Sequence, residues 1–288
     1  MNFELIIIGG PTASGKSALA LETARKNNGE IVNCDSMQLY KGLDIGTAKP
    51  TAAERAEIPH HLLDVYDINE RSDVYKFRQM ALDCIADILN RKKLPVLVGG
   101  SGFYLKALTN GLDDLPGDVE LRKKLDLEFD GEANFDKLRS VMAEKDSAAL
   151  DKFYNHQRKL IRALEVFELT GKSILELQKN TPEPFPYKYK FITLLPDREV
   201  LKQKIRLRAE IMLRQGWIKE AETAINNGLL NTPTAHQALG YAEIGEFLKG
   251  NISEAELLEL ISVKTWQFAR RQYTWFRHQH PESEIISN

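Results

Sequence analysis

Cysteine is scarce. Cys34 and Cys84 are the two in 288 residues, and fifty positions separate them. That spacing makes neither a disulfide framework nor a zinc or redox motif, so a reduced, cytoplasmic setting is the expectation. Long apolar runs are missing as well. None approaches the ~20 residues that cross a bilayer, which argues against a membrane role. The N-terminal residues hold no cationic segment or cleavage site, and their apolar run leads straight into a glycine-rich turn, so a secretory signal is not expected. Neither sign of charge dominates: 39 Lys and Arg stand against 41 Asp and Glu. The chain is no global polycation, and any nucleic-acid contact must come from locally gathered basic residues. Internal repeats and low-complexity segments are absent. His60 and His61 lack a suitably spaced third ligand and read as structural.

What remains is an ordinary globular composition, 43% hydrophobic and 28% charged, long enough for one large domain or two smaller ones. Its strongest signal lies at the start. An apolar β-branched run, Glu4 to Ile8, leads into G-x-x-x-x-G-K-S at Gly10–Ser17, and a helix-like run follows from Ala18 to Lys26. This is the phosphate-binding loop signature in its proper strand–loop–helix context. The glycines allow several backbone N–H groups to face one anion, and the helix N-terminus adds partial positive charge. Lys16 would bridge phosphate oxygens, and Ser17 would offer its hydroxyl to Mg²⁺. The loop implies a diphosphate or triphosphate without saying which.

Two further strand–turn–helix units follow. Glu30 to Cys34 reads as a strand ending at Asp35-Ser36, and Leu94 to Val98 as one ending at Gly99-Gly100-Ser101-Gly102. A helix from Val74 to Lys92 precedes the second of these, and another, Phe103 to Leu108, follows it. The pattern predicts an α/β fold with a parallel sheet flanked by helices. In such sheets ligands gather at the carboxyl ends of the strands. The phosphate loop, Asp35-Ser36 and Ser101 should therefore converge on one edge. After Gly111 the strand signals fade. Residues 113–151 hold twelve acidic residues against six basic ones, and Gln157 to Gln178 reads as one long amphipathic helix. A proline-rich break at 181–186 follows, and Lys190 to Leu195 returns as a strand. The expected organisation is a P-loop core at 1–112, an inserted all-helical subdomain at 113–189, and a completion of the core at 190–288 with C-terminal helices broken at Gly216, Gly228–Pro233 and Gly250.

Asp35 is the sharpest single candidate for chemistry. Past a buried strand end and facing a phosphate loop, it suits a general base or a holder of Mg²⁺ water. An Asx turn or helix cap explains an Asp-Ser pair there equally well. Ser101 in its glycine-rich turn is ambiguous in the same way. Basic residues cluster three times: eight between Phe185 and Gln215 against three acids, then Arg158, Lys159 and Arg162, then Lys264, Arg270, Arg271 and Arg277 among Trp266, Phe268, Tyr273, Trp275 and Phe276. Basic residues interleaved with aromatics suit phosphate contact and base stacking, while solvated helix faces and core packing are the plainer readings.

The residues also resemble a known family. The blocks G-P-T-A-S-G-K-S (Gly10–Ser17), D-S-M-Q-L-Y-K-G-L-D-I-G-T-A-K-P (Asp35–Pro50), P-H-H-L-L-D (Pro59–Asp64), V-L-V-G-G-S-G-F-Y-L (Val96–Leu105), R-A-L-E-V (Arg162–Val166), Q-A-L-G-Y-A-E (Gln237–Glu243) and A-R-R-Q-Y-T-W-F-R (Ala269–Arg277) resemble those of bacterial-type tRNA dimethylallyltransferases, or tRNA isopentenyltransferases. The resemblance implies transfer of a dimethylallyl group from dimethylallyl diphosphate to N6 of the adenosine at position 37 of tRNAs reading codons that begin with U. Diphosphate would leave, with Mg²⁺ as cofactor and the anticodon stem-loop as partner; a monomer is expected separately, because no apolar residues are obviously left over. The resemblance also implies that Gly10, Pro11, Thr12, Ala13, Ser14, Gly15, Lys16 and Ser17 hold the diphosphate, with Ser17 on the metal. Asp35, Lys16, Ser101 and Arg198 would act in catalysis. Asp35, Ser36, Met37, Gln38 and Ser101 would meet the acceptor, and Arg122, Lys123, Arg158, Lys159, Leu160, Ile161 and Arg162 the tRNA. Lys159 and Lys204 stand where the family usually has Arg, and lysine lacks the bidentate fork. Rival readings are an adenylate isopentenyltransferase acting on free AMP, ADP or ATP, and a P-loop nucleotide kinase.

Overall fold

A computed structural model describes residues 3–113, 115–178, 185–280 and 282–287. The chain forms two compact units, Met1–Thr109 with Phe185–Asn288, and Asn110–Pro184. The strands of the first unit are β1 (Leu5–Gly9), β2 (Gly29–Asn33), β3 (His60–His61), β4 (Leu94–Gly99), β5 (Tyr189–Leu194) and β6 (Glu284–Ile286). They make one sheet in the order β3-β2-β4-β1-β5-β6, and every pairing is parallel. Its helices are α1 (Lys16–Lys26), α2 (Ala52–Glu57), α3 (Val74–Asn90) and α4 (Gly102–Asn110), which runs to the unit boundary. In the second unit lie α5 (Val119–Phe129), α6 (Phe135–Lys145), α7 (Ser147–Phe153), α8 (Gln157–Thr170) and α9 (Ile174–Leu177). The first unit resumes with α10 (Arg198–Arg214), α11 (Trp217–Asn226), α12 (Tyr241–Leu248) and α13 (Glu254–Gln279).

Parallel strands covered on both faces are apolar at every position rather than at alternate ones. All five residues of β1 are buried. Alternate side chains then feed two different cores. Leu5, Ile7, Val32, Leu97 and Phe191 pack with Phe77 and Ile85 of α3 and with Ile261 and Phe276 of α13. Ile6, Ile8, Ile31, Val96 and Ile192 pack with Ala20, Leu21 and Ala24 of α1 on the other face. The sixth strand escapes sequence reading because three residues cannot display a period. Tertiary contact defines it: it pairs with β5, and the Thr193 hydroxyl donates to Ser283 Oγ at 2.8 Å just before it.

The second unit is all helical around its own core of Leu125, Phe129, Leu138, Met142, Leu160, Ile161, Leu164 and Ile174. The single helix expected over 157–178 is two. Gly171 closes α8 in the left-handed conformation (φ 68°), and the Ser173 side chain caps α9 at the Leu175 N–H. Residues 179–184, most of the proline-rich break, lie outside the described residues. Phe185 and Tyr187 belong to the first unit, where Phe185 meets Tyr187 and Tyr189 edge-on. Among the described residues no helix is long and apolar enough to cross a membrane.

Candidate active site

The strand ends of the first unit do converge. One cavity of about 390 Å³ is lined by Thr12, Ala13, Lys16 and Ser17 after β1, Asp35 to Gln38 after β2, and Gly99 and Ser101 after β4. The phosphate loop reaches it with its middle and its lysine. Gly10 is packed against the Leu194 carbonyl, and Gly15 caps α1 in the left-handed conformation (φ 93°). Pro11, Ser14 and Gly15 are no part of the cavity wall, and Ser14 is buried. Lys16 Nζ donates to the Pro11 carbonyl at 3.2 Å. Burial lowers its pKa from 10.5 to about 8, with Asp35 opposing the shift and Arg208 adding to it. An anion in the cavity would restore the missing charge balance around this ammonium.

Asp35 serves two roles at once. Its Oδ1 accepts from the Met37 N–H at 3.0 Å, the Asx turn that local sequence suggested, and the residue also lines the cavity. The Asn33 side chain steadies the same loop: Oδ1 accepts from the Asp35 N–H at 3.0 Å, and Nδ2 donates to the Leu62 carbonyl at 2.9 Å. The Ser101 hydroxyl accepts from the Ser36 N–H at 3.0 Å. Gln38 Nε2 donates to the Thr47 and Ala48 carbonyls at 3.0 and 3.1 Å, so its amide braces its own loop.

That loop is docked as well as braced. The Glu220 carboxylate of α11 accepts from three successive N–H groups, those of Asp44, Ile45 and Gly46, at 2.7–3.0 Å, and from the Tyr241 hydroxyl at 2.7 Å. A Cβ at Gly46 would come within 2.2 Å of Trp217 Nε1, which is why the backbone can lie so close there. From below, the buried Lys49 ammonium binds the Tyr40 carbonyl, Asp44 and Asp64 at 2.5–2.7 Å. The stretch is loop-like in sequence, yet it is held by the distant Glu220 carboxylate and by the ammonium of Lys49, buried within the stretch itself.

Arg198 is not in the cavity wall. Its guanidinium is at the exposed start of α10, over the Tyr273 ring at 5.1 Å. Ten residues on, nearly three turns, Arg208 does line the cavity. Its pKa is lowered by burial, which the Asp35 charge partly offsets. The signal for it was present: Leu201, Ile205, Arg208 and Met212 share one face of α10, so Arg208 interrupts a buried apolar stripe. Arg271 of α13 also lines the cavity, with Ile205, Met212, Trp217, Ile261 and Phe268 as apolar wall.

In the helical unit the residues expected at RNA have mostly internal work. Leu160 and Ile161 are fully buried in its core, so their side chains pack the unit and are not surface contacts. Arg122 and Arg162 both close on the buried Glu165, and Arg162 also donates to the Leu115 carbonyl at 3.0 Å. Arg158 pairs with Asp130 at 3.0 Å, and Lys123 with Glu120 at 2.8 Å. The Lys159 ammonium lies 5.5 Å from the Phe153 ring centre and is exposed, as is Lys204 on α10.

Among the described residues no group of three or more His, Cys, Asp or Glu side chains could hold a metal by itself. The oxygens that Ser17 and Asp35 present to one cavity are hard donors of the kind Mg²⁺ takes, provided that the bound anion supplies the rest.

Comparison with known proteins finds relatives over nearly the whole chain. A family model described as IPP transferase matches residues 38–279. A tRNA dimethylallyltransferase of Corynebacterium diphtheriae is 41% identical over 94% of this chain and 90% of its own. One from Geobacter metallireducens is 41% identical over 98% of this chain and 91% of its own. Among solved structures, a tRNA isopentenylpyrophosphate transferase from Bacillus halodurans aligns over 99% of this chain and 89% of its own, with a TM-score of 0.71 and 34% identity. A eukaryotic dimethylallyltransferase acting on tRNA aligns over 98% of this chain and 73% of its own, with a TM-score of 0.80 and 27% identity.

Proposed function

We propose an activity from one premise, that this chain belongs to the IPP transferase family. The protein transfers a dimethylallyl group from dimethylallyl diphosphate to N6 of adenosine 37 in the anticodon stem-loop of tRNA, and releases diphosphate. The observation that carries this reading is the shared cavity: a phosphate loop with Lys16 and Ser17, a carboxylate at Asp35, and an apolar wall in one space.

Each part has a task. Cleavage of the donor's carbon–oxygen bond places negative charge on the departing diphosphate. Lys16, Arg208 and the N-terminus of α1 face that charge as it grows. Mg²⁺ held at Ser17 would add Lewis-acid stabilisation of the same oxygens. The apolar side chains shield the prenyl carbons from water. The N6 amine attacks the prenyl carbon and must then lose a proton, and Asp35 accepts it. Its Asx turn fixes the carboxylate before substrate arrives. The acceptor adenine has to leave its stack to enter, and the Ser101–Ser36 contact shapes the place it enters. Which tRNAs are used follows codons beginning with U on this reading. The protein works as a monomer in the cytoplasm, a setting that its two free cysteines suit.

The test is direct. The protein is incubated with dimethylallyl diphosphate, Mg²⁺ and either unmodified tRNA or AMP, and the products are digested to nucleosides. Prenylated adenosine is expected from tRNA. Its formation from AMP and not from tRNA would replace this reading with that of an adenylate isopentenyltransferase.

A further inference from the structure

The sheet order sets β4 between β1 and β2, so the turn after β4 lies between the phosphate loop and Asp35. Side chains span both gaps. On the β1 side stands Gln272 of α13, 7% exposed. Its Oε1 accepts from the Thr12 N–H at 2.8 Å, and its Nε2 donates to the Gly100 carbonyl at 2.8 Å. On the β2 side the Ser101 hydroxyl accepts from the Ser36 N–H at 3.0 Å and donates to Ser36 Oγ at 3.2 Å. The three strand-end loops are thereby tied in series, from Thr12 through Gln272 to Gly100-Ser101, and on to Ser36 beside Asp35.

We propose that Gln272 is a positioning residue for group transfer: it sets the separation between the loop that holds the leaving diphosphate and the carboxylate that takes the amine proton. The inference rests on the prenyl-transfer reading above. The chemistry of the position allows little else. A carboxylate would accept from Thr12 but oppose the Gly100 carbonyl, and it would set a negative charge beside the diphosphate. Lysine or arginine would serve Gly100 but face the Thr12 N–H with a second donor. A side-chain amide offers one acceptor and one donor on a rigid plane at every pH, whereas a carboxyl does so only when protonated and an imidazole only when neutral, and asparagine is a methylene shorter. The backbone of Gly100 fits closely against it, since a Cβ there would lie 2.5 Å from Gln272 Nε2. A second consequence follows. The Thr12 N–H is committed to Gln272 and the Ser14 N–H donates to the Pro11 carbonyl at 3.3 Å, so the loop offers its anion its other N–H groups, Lys16 and Ser17. Gln272 also interrupts an apolar stripe, with Ile261, Ala269 and Phe276 on the buried face of α13, as Arg208 does on α10.

A misplacement of about 1 Å between reacting groups costs on the order of 10²-fold in rate. Gln272→Met keeps the length and bulk but neither hydrogen bond. Its kcat for tRNA prenylation should fall by about 10–10²-fold, while KM for each substrate moves less than about threefold. Gln272→Glu supplies a pH readout. When protonated its carboxyl regains a donor for Gly100, so its kcat as a fraction of the wild-type value should rise as the pH is lowered. A Gln272→Met protein with wild-type kcat, or a Gln272→Glu ratio that stays flat with pH, would overturn the proposal. Amide hydrogen exchange at Thr12 gives a readout independent of turnover: it should speed at least about tenfold in Gln272→Met, by loss of its bonded partner. Unchanged exchange at Thr12 would overturn the strap even if the wild-type protein failed to prenylate tRNA, a failure that by itself would count against the reading of function.

Discussion

Charged side chains fare differently in the two units. At the strand ends of the α/β unit, Lys16, Asp35 and Arg208 share a cavity, where burial lowers the pKa of both cations and the Asp35 charge opposes that shift. In the helical unit, Arg122 and Arg162 are drawn onto Glu165, and Arg158 onto Asp130. Architecture accounts for the contrast. Parallel strands stop along one edge and deliver their loops, with unspent polar groups, to a common space. A small helical unit has no such edge, and charges near its core must be paired within it. Burial alone pushes the Glu165 carboxyl up, yet the hydrogen bonds from Arg122 and Arg162 outweigh that and hold it below the usual carboxylate range. The difference teaches that a cation inside a family motif is not thereby a substrate contact; the carboxylate nearest to it decides.

The contrast can be broken by substitution on each side. The largest effect is expected at Asp35. Asp35→Ala should lower turnover by roughly 10²–10⁴-fold while tRNA affinity and thermal midpoint stay close to wild type. Equal losses in binding and turnover would make Asp35 a structural residue like those of the helical unit. Glu165→Ala should behave in the opposite way. It leaves two arginines without their shared carboxylate and should cost on the order of 3 kcal/mol of stability, seen by denaturant unfolding. A neutral result would mean that Arg122 and Arg162 are free for RNA after all. The smallest effect concerns Lys16. Its ammonium is depressed to about 8 in the free protein, and an anion binds the protonated form. Diphosphate affinity should therefore be flat below that pH and fall about tenfold per unit above it, until the pKa of the bound state is reached. Calorimetry in buffers of different ionisation enthalpy should show proton uptake on binding above pH 8, and none well below it.

Much of this was legible in the chain itself. β1, β2 and β4 announce themselves because buried parallel strands are apolar throughout, and residues that follow each of them line one cavity. The helical unit was legible as helix but not in detail. Gly171 ends α8 in the middle of a continuous amphipathic pattern, and β6 is too short to have one. Arg198, which the family resemblance implies for catalysis, stands outside the cavity wall, and Arg208 on the inward face of the same helix lines it. Arg208 and Gln272 share the overlooked signal, a polar residue at a core-facing position of an apolar stripe. Glu220 carries no such mark. Its value comes from three N–H groups of a loop about 175 positions away, and only the fold brings them together.

The central claim is that the phosphate loop holds a leaving group. The most direct measurement is the stoichiometry of products from dimethylallyl diphosphate and tRNA. One diphosphate should be released for each prenylated adenosine, without ATP and without orthophosphate. Orthophosphate or a phosphorylated acceptor formed from ATP, with no prenylated adenosine, would contradict the account and return the loop to a nucleotide kinase.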